Sequence, residues 1–511
     1  MTTARKILSN TFVQVAGKII IAGIGLVISK LLANYLTIGE RGMYESVYAL
    51  LALVGIVADM GMYTVAIREM AGNPSKMEVI IGNILSIRNV LAAISIVVTF
   101  LLIFFVPSLQ MGWIFYGALF WASLGMILAL LNGTVTSVLQ VAYDMKHATI
   151  AQVIGKILTM LCMVFGMFFL FPKQMPGFES TTPFWAFQML FIVGLVGNTC
   201  MYLYTRHFVK KHVNLRYRFD RVFWKDLIKK ALPYGLALIL GTVYFKIDLL
   251  IILFMYPAEM AHEQIGYYSA AIKVVEIFNV LPQFFLNAAL PMMTAFIVAK
   301  NPKIKELIQY SFDFLYIMAL PIVVGGVVMA YAIINATSAS IYLTSNVGQG
   351  FYSSDLLLQV IIFTIGFSFL NSLFNFLLVA LSRQKILIYI NCLCLLFNIV
   401  FNVIGIHFFG VMACAVTTVL TEVLVLVCSS YAVRQHVDFG LNLWRFTRTT
   451  LAGLVMGATL WFLKDPLIGA VGNTVGLLII LFMAGIVYGG GLYLFRVVDK
   501  PMLAILRKKE A

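Results

Sequence analysis

Charged side chains occur inside several long apolar stretches of this 511-residue sequence. In lipid such a residue costs about 2.5–3.5 kcal/mol at a helix centre on insertion scales, so few are kept without a reason. The basic ones are Lys18, Lys30, Arg88, Lys156, Lys246 and Lys273, and the acidic ones include Glu45, Asp59, Asp248, Glu276, Asp313 and Glu422. Ammonium and guanidinium groups held together in this way are suited to binding an anion.

The positions of these charges along their stretches predict a cavity. In each half of the chain, the first two stretches are joined by a short loop. One layer of charges lies near that loop and contains Lys30, Glu45, Lys246 and Lys273. A second, basic layer lies toward the opposite ends in the N-terminal half: Lys18, Arg88 and Lys156. Two lobes packed through these helices would enclose a charged, water-filled space, so we expect these seven residues to bind substrate.

Structural roles stay open for several of them. Lys30 and Glu45 lie near helix ends and can extend to the lipid headgroups. Lys273 and Glu276 are three residues apart on one helix face and can pair with each other. The nearest carboxylate to Lys246 on its own helix lies about 200° around the axis, which prevents simple pairing. Lys246 is therefore the strongest candidate for a cavity residue.

A polar cluster occupies three consecutive stretches nearer the C-terminus: Asn371, Asn375, Asn391, Asn398, Asn402, Thr417, Thr418, Thr421 and Glu422. Such residues commonly form hydrogen bonds between packed helices. The other interpretation is a coupling-ion site, in which Asp248, Asn398, Thr417 and Glu422 offer oxygens to a sodium ion or carry a proton.

Composition defines the class of protein. Hydrophobic residues make up 62% and charged residues 11% of the chain, and the mean hydropathy is +0.97. A soluble domain carries about 25% charge, so this chain must face lipid. The sequence has no CxxC, zinc spacing or phosphate-binding loop, and its six cysteines fall within apolar stretches. We therefore expect neither an enzyme nor a bound metal or other cofactor.

The stretches predict about fourteen transmembrane helices. Strands are excluded because none of the stretches alternates, and backbone groups in lipid must be bonded within their own segment. The first stretch contains Lys18 and has no cleavage site, so we expect it to remain as the first helix. The spans are predicted at 11–35, 42–66, 80–106, 113–141, 148–172, 184–208, 227–255, 266–298, 306–334, 356–381, 385–408, 410–434, 445–464 and 468–496.

The distribution of basic residues predicts the orientation. With the N-terminus in the cytoplasm, inside segments hold 27 of the 36 basic residues and outside loops hold three, Arg41, Lys173 and Lys464. This split follows the positive-inside rule with both termini cytoplasmic. It accounts for the net charge of +15 without nucleic-acid binding.

Internal similarity predicts two lobes. At an offset of 224, Gly42 matches Gly266 and Tyr44 matches Tyr268, each after a basic lead-in and one long helix. An even number of helices per repeat makes the repeats parallel. We predict an all-α polytopic membrane protein with two pseudo-symmetric six-helix lobes. The divisions are an N-terminal lobe at 1–208, a basic cytoplasmic linker at 209–226, a C-terminal lobe at 227–434, and helices 13 and 14 with a basic tail at 435–511.

Two segments carry a resemblance to a known family. Residues 42–71 contain G-x-Y, A-D-x-G and R-E-x-A, at Gly42, Tyr44, Ala58, Asp59, Gly61, Arg68, Glu69 and Ala71. Residues 391–422 form an Asn-rich helix, a glycine turn and a Thr-containing helix that ends at Glu422. This resembles the oligosaccharide-lipid flippases (Wzx-type, polysaccharide transport family) of the MATE-like MOP superfamily. The family's G-x-x-G-A-A turn is changed here to GVMACA at 410–415.

The resemblance implies a multi-pass protein of the cell membrane. It implies that a polyprenyl-diphosphate-linked glycan moves from the cytoplasmic to the outer leaflet by alternating access. The expected partners are that glycan lipid, the bilayer, and glycan polymerase or ligase machinery. Coupling to the membrane potential and to a sodium or proton gradient would take the place of a cofactor. The family's cavity residues do not transfer by motif, so the basic residues above rest on depth and charge.

Other functions fit less well. A MATE-like drug/cation antiporter is the alternative within this fold, but it needs an acidic cavity, and basic residues at least match acidic ones in the first two helices of each half. A membrane enzyme needs a substantial outside loop with catalytic groups. The loop at about 335–355 holds one carboxylate and no histidine. A scaffold or channel would not require the deep lysines.

Overall fold

The computed structural model describes residues 3–105, 112–172, 182–346, 348 and 350–497. Within these ranges the chain forms 18 α-helices and no β-strand. Twelve helical stretches among the described residues are long and apolar enough to cross a membrane. The predicted all-α, multi-pass fold is therefore confirmed.

The helices form two compact units, residues 1–266 and 267–511. Eight helices lie entirely within the first unit: α1 (Thr3–Tyr35), α2 (Ile38–Asp59), α3 (Met62–Gly72), α4 (Met77–Phe105), α5 (Trp113–Val141), α6 (Met145–Phe165), α7 (Phe184–Val209) and α8 (Arg221–Met255). A π-helical turn, Gly166–Leu170, extends α6.

The remaining helices start with α9, whose first turns belong to the first unit. They are α9 (Ala258–Phe278), α10 (Leu281–Val298), α11 (Lys303–Val328), α12 (Ala330–Thr337), α13 (Ser354–Ile361), α14 (Phe363–Ala380), α15 (Gln384–Phe409), α16 (Met412–Arg434), α17 (Leu443–Val471) and α18 (Asn473–Leu494).

Each predicted span coincides with one helix or with two consecutive helices. The span predicted at 42–66 is broken between α2 and α3, where Met60 has a φ of 40° and Gly61 a φ of 70°. Hydropathy averaged over about 19 residues does not register a break this short. The same limit applies to the α9–α10, α11–α12 and α13–α14 breaks.

The predicted loop between the last two helices was misplaced. The structure continues α17 through Lys464 and Pro466 to Val471, and the turn falls at Gly472, whose φ is 84°. A transmembrane helix can accommodate a proline where neighbours satisfy the freed backbone group. Lys464 then lies over the Trp461 ring at 4.0 Å instead of in an outside loop.

The segment predicted as a linker at 209–226 lies within the first compact unit. Its residues 213–220, which we call the strap, bind the start of α4: Arg218 N–H donates to Gly82 O at 3.2 Å, and Asp220 N–H donates to Asn83 Oδ1 at 3.0 Å. Leu227 and Ala231 of α8 are buried in the same cluster as the α4 residues. The first compact unit consequently extends beyond the strap and takes in α8.

Glycines allow α2 and the first turns of α9 to cross in close contact. A Cβ at Gly42 would lie 1.6 Å from His262 O, and a Cβ at Gly266 would lie 2.4 Å from Ile38 O. At the offset of 224, position 38 corresponds to 262 and position 42 corresponds to 266. Gly42 contacts residue 262, and its equivalent Gly266 contacts residue 38, so the two contacts are equivalent. This reciprocity is what two related repeats would produce. We call it the α2–α9 crossing.

Candidate functional site

Lys18 and Lys156 lie on two helices that pack against each other. Gly17 of α1 contacts α6 so closely that a Cβ there would fall 2.2 Å from Thr149 Cγ2. Lys18 follows Gly17, and Lys156 lies two turns beyond Thr149 on nearly the same side of α6. Both lysine side chains are exposed on the surface of the described chain. The α1–α6 pair therefore presents two accessible cations.

Lys30 and Lys246 are half-buried, on α1 and α8 respectively. Each takes part in further polar or electrostatic interactions. Asp248 follows two residues after Lys246 and is only 3% exposed. The carboxylate of Asp248 is thus buried, whereas Lys246 on the same helix is only half-buried.

Arg88 is buried in a structural ion pair. Its guanidinium binds the Asp59 carboxylate and donates from Nη1 to Thr134 Oγ1 at 2.6 Å and to Leu130 O at 2.5 Å. Arg88 is 1% exposed. It joins the end of α2 to α4 and α5, at the break that follows Asp59. With this geometry Arg88 joins three helices, and the predicted substrate-binding role of Arg88 stays a prediction.

Glu45 is buried beside Arg41, a residue that the sequence analysis placed in an outside loop. Thr37 and Glu40 form a capping box, with each backbone N–H bound by the other side chain at 3.0 and 3.2 Å. Because this box begins α2 at Ile38, Arg41 lies inside the helix and is fully buried, not in an outside loop as predicted. Arg41 lies 4.0 Å from Glu45 and donates to Ser29 O at 2.8 Å.

Lys273 and Glu276 form an ion pair at 3.1 Å. Both side chains are about one-third exposed. This is the local pairing that the three-residue spacing allows. Lys273 is therefore partly neutralised by its own helix.

The polar cluster of the second unit has two hydrogen-bonded parts. Asn371 donates to the buried Glu422 carboxylate, and Asn402 donates to Asn398 Oδ1 at 2.9 Å. Thr417 is 4% exposed, and its carbonyl accepts from Thr421 Oγ1 at 2.7 Å. The structure thus brings Asn371 to Glu422, although the sequence had grouped Glu422 with Asn398.

The donor set of this cluster suits a hard cation or a proton. The amide oxygens Asn371 Oδ1 and Asn375 Oδ1 are buried without a hydrogen-bond partner in the described part of the chain. Amide and carboxylate oxygens are the ligands that sodium-like and calcium-like ions prefer. No group of three or more His, Cys, Asp or Glu side chains suited to a metal occurs among the described residues.

One buried pair had no signal in the sequence. His262 of α9 is 2% exposed, and its Nδ1 lies 3.1 Å from Ser46 Oγ. Ser46 also donates to Gly42 O at 2.7 Å. The pair thus adds a polar contact to the α2–α9 crossing.

A model of the polysaccharide biosynthesis protein family matches residues 7–297, which is more than half of the chain. This chain belongs to the polysaccharide biosynthesis protein family. The predicted family relationship is thereby confirmed. No curated protein sequence matches this family member significantly.

Solved structures with this fold are transporters and flippases. The lipid II flippase MurJ in an inward closed conformation is 13% identical, with a TM-score of 0.74 over 95% of this chain and 98% of that chain. An inward-facing multidrug resistance MATE family transporter of the MOP superfamily is 11% identical, with a TM-score of 0.62 over 83% and 98%. At these identities the likeness shows the fold alone.

A third similar structure indicates how varied this fold is. It is a MOP superfamily transporter from Pyrococcus furiosus, for which reverse polarity of the binding pocket suggests a different function. It is 13% identical, with a TM-score of 0.55 over 84% of this chain and 96% of that chain.

Proposed function

We propose that this polysaccharide biosynthesis family member is a flippase. It moves a polyprenyl-diphosphate-linked oligosaccharide or polysaccharide repeat unit from the cytoplasmic to the outer leaflet of the cell membrane. The family match over residues 7–297 carries the proposal, and the fold shared with a lipid II flippase supports it. Both termini are cytoplasmic, and glycan polymerase or ligase machinery receives the product.

Basic side chains of the first unit supply the chemistry for the diphosphate. An anion of this kind is strongly hydrated, so its crossing requires groups that replace water and counter-charge. Lys18 and Lys156 are exposed, and Lys30 and Lys246 are half-buried, so none of the four side chains is enclosed by the packed helices. Arg88 and Glu45 contribute instead to the structure that supports them, and Lys273 acts together with Glu276.

The membrane potential supplies part of the driving force. With the inside negative, outward movement of one negative charge gains about 2.3 kcal/mol per 100 mV. A diphosphate gains up to twice that amount, less the charge carried by coupled ions or protons. Alternating access then proceeds without ATP.

Replacing Lys246 with Ala tests the anion-binding role. We expect K246A to lose most delivery of lipid-linked glycan to the outer leaflet in cells lacking the native transporter. K246R should restore part of it, because a cation at that place is retained. Lys229 lies on the same helix and is exposed, so K229A is a matched control expected to deliver normally. Membrane expression of each variant is measured in parallel.

Normal delivery by K246A would remove Lys246 from the anion site. A loss in K229A equal to that in K246A would show that any lysine on α8 serves, which also contradicts the assignment. If the purified protein moves no diphosphate-linked lipid between the leaflets of vesicles under an applied potential, the flippase proposal itself is wrong.

Glu422 is proposed to respond to the coupling ion, together with Asn398 and Thr417. Glutamine keeps an oxygen that accepts the hydrogen bond from Asn371 but removes the charge. We therefore expect E422Q to fold normally and to lose the dependence of transport on a sodium or proton gradient. E276Q removes one carboxylate from a partly exposed pair and is the control. A gradient dependence unchanged in E422Q would leave Glu422 as a structural residue.

A drug/cation antiporter is the second candidate, favoured by the MATE-like fold and by the buried carboxylate of Asp248. It predicts export of cationic dyes driven by a cation gradient. It also predicts that K246A leaves this export unimpaired, because a cationic substrate gains nothing from the lysine. The dye and glycan measurements on one set of variants distinguish the two functions.

A further inference from the structure

A large apolar groove lies within the second unit, apart from the lysines discussed above. It has a volume of about 980 Å³ and is formed by α11, α14, α16, the segment 439–441 and the start of α17. Its polar lining side chains are Tyr316, Ser430, Tyr431 and Arg434, and the rest are apolar residues or glycine. The volume lies at the upper end of the range for ligand sites, roughly 300–1,000 Å³.

The groove has a closed floor and an open side. Phe374 and Phe439 are buried at the floor, with ring centroids 5.6 Å apart. Val427 and Phe363 on the side are exposed, at 58% and 44%. In a membrane-spanning unit such an open apolar side meets lipid chains, so a flexible hydrocarbon can enter the groove from the bilayer.

The charge at one end of the groove is unbalanced. Lys305 binds Asp438 at 2.7 Å, and this hydrogen bond holds the pKa of the Asp438 carboxyl below its ordinary value. Arg445 binds Asp313 at 3.2 Å. Arg434 lines the groove at this end and is exposed, and no salt bridge within 4.0 Å joins it to a carboxylate in the described ranges of the chain. Asp438, which is already bound to Lys305, acts on Arg434 only through a longer-range electrostatic interaction. One cation is therefore available to a ligand that lies in the groove.

We propose that this groove binds an anionic glycerophospholipid of the cytoplasmic leaflet. One acyl chain lies between α11, α14 and α16, and the phosphate pairs with Arg434. Basic pockets between transmembrane helices at the cytoplasmic side commonly bind anionic headgroups. Arg434 lies at one end of the groove, so it would hold a phosphate at one membrane surface. This position suits a lipid that stays in one leaflet better than a lipid that crosses to the other. This inference does not depend on the proposed transport function.

The experiment is a lipid titration of the purified, delipidated full chain by native mass spectrometry. Phosphatidylglycerol and phosphatidylcholine with the same acyl chains are the probes. We expect phosphatidylglycerol to bind more tightly than phosphatidylcholine. R434Q should raise the Kd for phosphatidylglycerol about fivefold, which is the usual contribution of one basic residue near an anionic surface. R434K should retain most of it. Arg383 is exposed and does not line the groove, so R383Q is the matched control.

A second variant tests the apolar part. A Cβ at Gly366 would lie 3.6 Å from Val323 Cγ2, an ordinary contact, so G366L places its side chain in the groove without a backbone clash. We expect G366L to keep its unfolding temperature and to lose the site for phosphatidylglycerol. Equal affinity for the two lipids would overturn the proposal, as would equal effects of R434Q and R383Q. Complete displacement by a polyprenyl diphosphate would reassign the groove to the tail of a transported lipid.

Discussion

Gly42→Ala is expected to destabilise the protein and to reduce glycan delivery strongly. A methyl group at this position would lie 1.6 Å from His262 O, so the backbones of α2 and α9 must move apart. Inserting atoms into a packed contact costs about 1–3 kcal/mol, and more where no flexible side chain can yield. Close approach of membrane helices depends on residues without a side chain. The unfolding temperature in detergent and the delivery assay measure the two effects.

Two neighbouring glycines make this prediction specific. Gly266→Ala should act in the same direction, because its methyl group would lie 2.4 Å from Ile38 O. Gly39→Ala lies one turn before Gly42, and its methyl group would meet Glu263 Cγ at an ordinary 3.7 Å. We expect Gly39→Ala to behave like the unmodified protein. The close crossing would be disproved if Gly39→Ala and Gly42→Ala unfolded at the same temperature.

Asp59→Asn is expected to lower stability by about 2–3 kcal/mol, which is less than breaking a fully buried pair would cost, because Arg88 is buried but the Asp59 side chain is 29% exposed. Arg88 is 1% exposed and would keep its charge among α2, α4 and α5. The expected observation is a large fall in unfolding temperature and in the amount of protein in the membrane. The effect should not depend on substrate.

A double variant and an exposed pair provide the controls. Asp59→Asn combined with Arg88→Met removes both charges, and we expect it to recover much of the lost stability. Glu69→Gln breaks the pair with Lys230, whose two side chains are 21% and 46% exposed. An exposed pair contributes about 0–1 kcal/mol, so this variant should unfold close to the unmodified protein. If the double variant is no more stable than Asp59→Asn alone, the pairing account of Arg88 is incorrect.

Much of the fold could be predicted because the bilayer imposes strong rules on sequence. Length, hydropathy and the positive-inside rule located the helices, and local spacing indicated that Lys273 could pair with Glu276. The partner of Arg88 is 29 residues away and on another helix. Such a pair forms only when two helices are rotated so that the side chains face each other. Residue spacing within one helix does not reveal that rotation.

Arg41 shows how a boundary error changes the interpretation of a side chain. Hydropathy starts the second helix after the charged residues, so Arg41 was assigned to an outside loop. The capping box of Thr37 and Glu40 is a polar signal, and it starts the helix earlier. A search for caps as well as for apolar runs would have placed Arg41 beside Glu45. Its burial follows from helix geometry once the start is known.

The strap has a consequence for how this protein is made. Because residues 213–220 bind the start of α4, and α8 then packs on α3 and α4, the surface that receives α8 is complete as soon as the first lobe has been synthesised. Domains generally assemble in order from the N-terminus during synthesis. If α8 opens a second repeat, as the offset of 224 predicts, that helix docks onto the first repeat before the rest of its own repeat has been synthesised. The first compact unit would then end beyond the predicted repeat boundary, at Gly266.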